Sequence, residues 1–165
     1  MTLAPGSTAP AFDLPALGGD RARIALADLT AAGPALLAFF KTSCPVCVLS
    51  FPVWGELARR YGQAVAVVAL AQDPLAKARP WLDAAGFEAP VLDDSDGYAT
   101  SRAYGIETVP ALVLVGADGR IADASEGWDR KRANAWDQAL AELTGLPGAG
   151  PVSDPADGLP AYRPG

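Results

Sequence analysis

The sequence contains no histidine, only two cysteines, and 13 lysines and arginines against 19 aspartates and glutamates in 165 residues. Each shortage removes a class of chemistry. Without histidine there is no Ser–His–Asp triad, no Cys–His dyad, no His-ligated zinc and no haem on a proximal His. Two cysteines are too few for a disulfide scaffold. At this length none is needed, because such a domain buries roughly 70% of the surface its unfolded chain exposes. A formal charge of −6 without a block of Lys or Arg lacks the positive footprint that neutralises phosphates, so no nucleic-acid partner is expected. No stretch reaches 18 apolar residues without a charge, Pro or Gly, so no membrane span is expected. Residues 1–10 carry neither a basic n-region nor an apolar h-region. The expected location is therefore cytoplasmic, or extracytoplasmic where a leader has been removed. In a reducing compartment the two cysteines should be free thiols, metal ligands or redox-active, and their spacing becomes the main question.

Half of the residues are hydrophobic, enough for one globular domain with a real core. Residues 12–14 and 23–26 form two apolar patches about Gly18-Gly19 and read as an edge hairpin. The run PALLAFF at 34–40 predicts a strand buried on both faces. A helix follows, capped by Thr42 or Ser43, with Pro45 in its first turn and Phe51, Trp54, Ala58 and Tyr61 at helical spacing. Gly62 ends it and Pro52 should kink it. Residues 63–71 predict a second buried strand. Asp73 caps a helix with Pro74 at its first position and Pro80 as a break near its end at about Ala85. A short strand at 89–92, a short helix at 97–104 and a hairpin turning at Ala117-Asp118-Gly119 come next. The last helix spans about 129–144, its apolar face marked by Trp136, Leu140 and Leu143. Residues 1–145 thus read as one α/β domain, a layer sandwich about a mixed sheet. In 146–165 every second or third residue is Pro, Gly or Asp, which predicts an extended C-terminal tail, either disordered or laid over the surface.

The chemistry concentrates in Cys44-Pro45-Val46-Cys47, at the junction of the buried strand and its helix. Cysteines at i and i+3 of a first helical turn share a face and lie within disulfide reach. The unpaired N–H groups and positive end of the helix favour a thiolate at Cys44, the attacking sulfur, leaving Cys47 to resolve. Lys41, three residues earlier, is a further positive charge beside it. A zinc knuckle would need a second cysteine pair; a Cu(I) site on the two thiolates stays open beside the redox reading.

The segment from Phe39 to Cys47 resembles the active-site segment of the thioredoxin superfamily, and Pro52 matches that family's helix proline. Residues 104–114 (YGIETVPALVL) resemble its cis-proline segment, followed by a hairpin with Gly119 and then Gly127 at family-like spacing. The opening GSTAPAFDL at 6–14 and the extra helix and strand within 74–92 look like the TlpA/ResA-like branch, which is grouped with the peroxiredoxins. The resemblance implies a thioredoxin-like sandwich with helices on both faces of the sheet, an N-terminal hairpin and a helix–strand insertion. It also implies a cis bond at Pro110 and a substrate strand held against Thr108, Val109 and Pro110. Phe40, Lys41, Pro45 and Val46 would support the dithiol, with Trp128 and Phe40 near the rim.

Departures from the pattern matter too. Ala38 stands where thioredoxins bury an Asp, so deprotonation of Cys47 is expected to be slow unless another acid such as Glu56, Asp73 or Glu107 substitutes. The peroxiredoxin pattern Pro-x-x-x-Thr-x-x-Cys is not met, since Phe40 and Lys41 precede Cys44 by four and three. The expected activity is thiol–disulfide exchange, reducing protein disulfides. A thiol peroxidase and a Cu(I)-binding module are the alternatives. No cofactor or metal is expected beyond the dithiol itself. The expected partners are a protein disulfide and an upstream electron donor, acting on a monomer.

Overall fold

The computed structural model describes residues 2–165. Strand β3 (Ala35–Phe40) lies inside a seven-stranded sheet, and all six of its residues are buried. Alternation explains the need for an unbroken apolar run: Leu36, Ala38 and Phe40 enter one core, and Ala35, Leu37 and Phe39 enter the other. β4 (Ala66–Ala71) pairs parallel to β3, and β5 (Val91–Asp93) pairs parallel to β4. On the other side β6 (Ala111–Val115) and β7 (Ile121–Glu126) add antiparallel strands. The hairpin of β1 (Asp13–Leu17) and β2 (Arg23–Ala25) joins antiparallel to β5 and gives the order β2-β1-β5-β4-β3-β6-β7.

One face carries α2 (Pro45–Tyr61), α3 (Leu75–Ala85) and α5 (Arg130–Thr144) over a core that includes Phe40, Phe51, Leu82 and Trp136. The other carries α1 (Leu26–Thr30), α4 (Ala99–Ala103) and the N-terminal segment, packed about Phe12, Phe39 and Tyr104. This is the thioredoxin-like layer sandwich expected from the sequence, with its N-terminal hairpin and helix–strand insertion.

Several local expectations shift. The cap of α2 is Cys44 itself rather than Thr42 or Ser43. The helix runs from Pro45 to Tyr61 with Pro52 inside it. α3 likewise continues through Pro80 to Ala85, and its cap is Pro74, because the Asp73 side chain is drawn toward β3 instead. Leu143 is 53% exposed: the buried stripe of α5 is Ala133, Trp136, Asp137 and Leu140, one turn earlier. The buried Asp137 accepts hydrogen bonds from Tyr61 Oη at 2.6 Å and Arg60 Nη1 at 2.9 Å, which satisfies its charge and ties α5 to α2.

Helix α2 passes the turn after α3 at Gly55, where a Cβ would stand 2.6 Å from the Gly86 carbonyl oxygen. Gly55→Ala gains ~1 kcal/mol of helix propensity, but no side-chain rotation relieves an overlap with backbone. The expected result in urea denaturation is a net loss of about 1–3 kcal/mol, and an unchanged or raised midpoint would contradict the close approach.

After α5, residues 146–165 return across the molecule. Arg60 Nη1 donates to Gly150 O at 2.6 Å, and Asn134 holds the next residues, its Oδ1 accepting from the Val152 and Ser153 N–H groups and its Nδ2 donating to Ser153 O. A single 3₁₀ turn (Pro155–Asp157) follows, and β9 (Tyr162–Arg163) pairs antiparallel with β8 (Trp128–Asp129). Among the described residues no helix is long and apolar enough to cross a membrane.

Candidate functional site

The two cysteines are free thiols with unequal surroundings: Cys44 is partly exposed and Cys47 is fully buried. Because Cys44 occupies the cap of α2, its sulfur takes the place of a capping oxygen. The Cys47 N–H donates to Cys44 Sγ at 3.2 Å, and that Sγ lies 3.2 Å from Val109 O, to which its S–H donates. Burial pushes the Cys47 thiol far above its ordinary range. The hydrogen bond to Cys44 pushes the same way, the Lys41 backbone N–H pulls against it, and the charges of Cys44 and Asp73 add smaller upward pushes. One sulfur is thus presented at the surface, with an amide N–H aimed at it, and the other is held protonated behind it.

Val109 reaches this position at the entrance of β6, where the Val109–Pro110 peptide is cis. Pro110 is buried, Val109 is half-buried and Thr108 is exposed, so the loop offers backbone rather than side chains to the Cys44 sulfur. Glu126 shapes that loop. Its carboxylate accepts from the Thr108 N–H at 2.8 Å, the Thr108 hydroxyl at 3.0 Å and the Glu107 N–H at 3.3 Å. Burial alone would push this carboxyl up; the hydrogen bonds from Thr2, Thr108 and Glu107 outweigh it and hold Glu126 below the usual carboxylate range. The sequence reading missed Glu126. The signal available was an acidic residue ending β7, opposite Ala111 in the antiparallel register.

The supporting residues are partly rearranged. Pro45 is exposed at the first position of α2 and Val46 is buried beside Cys44. Phe40 is not at the rim: it is fully buried beneath α2, its ring centroid 4.9 Å from both Phe51 and Trp81. Trp128 is also buried, packed with Val46, Val53 and Ala133. The Lys41 ammonium turns to Tyr98, with Nζ 3.4 Å from the phenol oxygen and 5.4 Å from the ring centroid.

Of the three acids expected to serve Cys47, Glu56 is engaged by Arg59 and Arg60. The backbone of Glu107 joins the Glu126 cluster. Asp73 is the one whose charge reaches Cys47. Its Oδ2 accepts from the Thr42 N–H at 2.7 Å and its Oδ1 pairs with Lys77 Nζ at 2.9 Å. Burial pushes Asp73 up, and these partners outweigh it, leaving the carboxyl below its ordinary range. Among the described residues no group of three or more His, Cys, Asp or Glu side chains gathers as a metal site.

Residues 5–124 match the AhpC/TSA family. No curated protein matches the chain. Among solved structures, a Chlorobium tepidum protein provisionally named thiol:disulfide interchange protein DsbE is 27% identical. It superposes with a TM-score of 0.75 over 87% of this chain and 100% of that one. A Neisseria meningitidis protein provisionally named a thioredoxin is 31% identical, with a TM-score of 0.66 over 82% and 91%. Peroxidoxin BcpB from Mycobacterium tuberculosis, 22% identical with a TM-score of 0.67 over 87% and 97%, shares the fold.

Proposed function

This chain belongs to the AhpC/TSA family, and from that premise and the geometry at Cys44 we propose that it is a thiol–disulfide oxidoreductase that reduces protein disulfides. The Cys44 thiolate attacks one sulfur of a substrate disulfide, forming a mixed disulfide and releasing the other substrate sulfur as a thiolate. Cys47, deprotonated, then attacks Cys44 Sγ. The Cys44–Cys47 disulfide forms, the second substrate sulfur leaves, and two electrons have passed from the dithiol to the substrate. A dithiol donor restores the reduced state by the reverse exchange.

The observation that carries this reading is the division of labour between the sulfurs. Cys44 is reachable, receives an amide N–H and faces the Val109 backbone. Cys47 is buried one helical turn behind, placed to attack inward and shielded from outside reagents. An extended substrate segment can lie along the Thr108–Pro110 backbone as an added strand, which positions its disulfide over Cys44.

Reduction of insulin by dithiothreitol should be accelerated by catalytic amounts of the protein, while stopped-flow oxidation of the reduced protein by hydrogen peroxide should proceed at the rate of an ordinary thiol. The hydrogen-bond partners of Cys44 Sγ are the Cys47 amide and the Val109 carbonyl, with no arginine among them to polarise a peroxide. Oxidation thousands-fold faster than a free thiol, with no insulin reduction, would replace this reading with the peroxidase.

A further inference from the structure

Residues 159–165 run along Trp128–Arg130 and end, at Gly165, on the Thr108–Val109 backbone where the proposed substrate strand should lie. Arg163 and Tyr162 pair antiparallel with Trp128 and Asp129, the indole N–H of Trp128 donates to Pro160 O at 2.7 Å, and the Arg130 N–H donates to Ala161 O at 2.9 Å. The segment then passes Gly127, where a Cβ would meet Arg163 O at 3.0 Å and Gly165 N at 3.1 Å. Gly127 itself donates its N–H to Pro110 O, so the segment runs alongside the cis-proline loop. At Gly165 a Cβ would stand 2.7 Å from both Thr108 Oγ1 and Val109 O. Val109 O is the atom to which Cys44 Sγ donates. Leu159 and Val152 pack against the cluster of Val46, Val53, Trp128 and Ala133, the same cluster that the Cys44 side chain packs against, so the segment lies over the first turns of α2.

We propose that residues 159–165 fill the polypeptide groove between α2, Gly127 and Thr108–Val109 as an internal competitor, so that the site receives an extended substrate strand only when this segment lifts. The proposal rests on the oxidoreductase reading for what the groove receives. The segment's composition fits an exchangeable occupant. It is bound mainly through backbone, its two-residue ladder is exposed, and Tyr162 is 63% exposed, so Leu159 is its main apolar anchor. Tethering gives it an effective concentration on the order of millimolar, so a protein substrate at micromolar concentration competes at a disadvantage. A small disulfide that needs only Cys44 and no strand pairing does not.

Two full-length variants test it, both altered only in this segment. Leu159→Asp removes the apolar anchor, and Gly165→Val inserts a side chain where Thr108 and Val109 leave no room. Each should raise kcat/KM for insulin reduction about tenfold and leave reduction of a small aromatic disulfide within about twofold. With reduced protein, each should speed labelling of Cys44 by a polyethylene-glycol maleimide relative to labelling by iodoacetamide. The free peptide of sequence 159–165, added at millimolar concentration, should slow insulin reduction by the Gly165→Val protein again. Unchanged insulin kinetics and an unchanged labelling ratio in both variants would overturn the proposal. If wild type and variants reduce no disulfide at all, the oxidoreductase reading falls instead, and the labelling ratio still reports whether the segment covers Cys44.

Discussion

Cys44→Ser is expected to abolish insulin reduction, a loss on the order of 10³-fold or more, with little change in thermal stability. The two halves of that result have separate causes. A hydroxyl at position 44 has no thiolate form and makes no bond to a substrate sulfur, so the first step is lost. Yet Ser is a favoured helix cap, and its oxygen can accept the Cys47 N–H that Cys44 Sγ accepts at 3.2 Å, so α2 keeps its start. Loss of activity with an intact melting transition therefore locates the defect in the chemistry.

Cys47→Ser should behave differently. Attack by Cys44 survives, because the reachable sulfur and its amide donor remain, and the reaction stops at the mixed disulfide, which accumulates as a covalent adduct resolvable on a non-reducing gel. Full activity in Cys44→Ser would sink the assignment. Adducts trapped by Cys44→Ser and absent from Cys47→Ser would exchange the roles of the two sulfurs.

That pair of residues was legible because both signals are local: an unbroken apolar run that must be a central strand, and an i, i+3 cysteine pair at the helix start it feeds. The hairpin at Gly119 was likewise a short-range pattern, whereas the cis bond at Pro110 was legible only through the resemblance of residues 104–114 to a family segment. What escaped was the product of strand order. The parallel register sets Phe40 opposite Ala71, so Thr42 and Asp73, each two residues further on, meet beyond the sheet's edge. Nothing in the sequence says that β3 and β4 are neighbours in that register. Read locally, Asp73 was a helix cap, and beside Glu56 and Glu107 it was only one of three acids that could serve Cys47.

Phe40 was misplaced for a related reason: even positions of β3 face α2, and the three rings of Phe40, Phe51 and Trp81 close that layer over them. The course of residues 146–165 was invisible because it is fixed by backbone hydrogen bonds, the Asn134 side chain and glycine close approaches, none of which imposes a hydrophobic period.

Asp73→Asn is expected to slow the second step, release of the reduced substrate from the mixed disulfide, by about tenfold or more. Cys47 must lose its proton to attack Cys44 Sγ, and burial opposes the thiolate most strongly, with the charge of Asp73 adding to that opposition. The same carboxylate is ionised at neutral pH, because the Thr42 N–H and the Lys77 ammonium outweigh the cost of its burial. It therefore disfavours a free thiolate at rest and offers the leaving proton an acceptor during attack.

Replacing it with Asn removes both effects. Relief of the repulsion favours the thiolate only slightly, since the charge of Asp73 is the smallest of the effects that raise Cys47, whereas loss of a positioned base costs on the order of 10²–10⁴-fold; the second is larger. The Asn side-chain oxygen can still accept from the Thr42 N–H, so the fold should be retained. Two readouts separate proton transfer from a merely structural role. Thiolate absorbance should show the Cys47 thiol titrating lower in the variant. In denaturation, the depressed carboxyl stabilises wild type above the ordinary carboxylate pKa of about 3.9, and this contribution is lost as pH falls through the folded-state value. The stability difference between wild type and Asp73→Asn should therefore be present at neutral pH and shrink under acid. Resolution as fast in Asp73→Asn as in wild type would remove Asp73 from the proton path and leave the Cys47 proton to solvent.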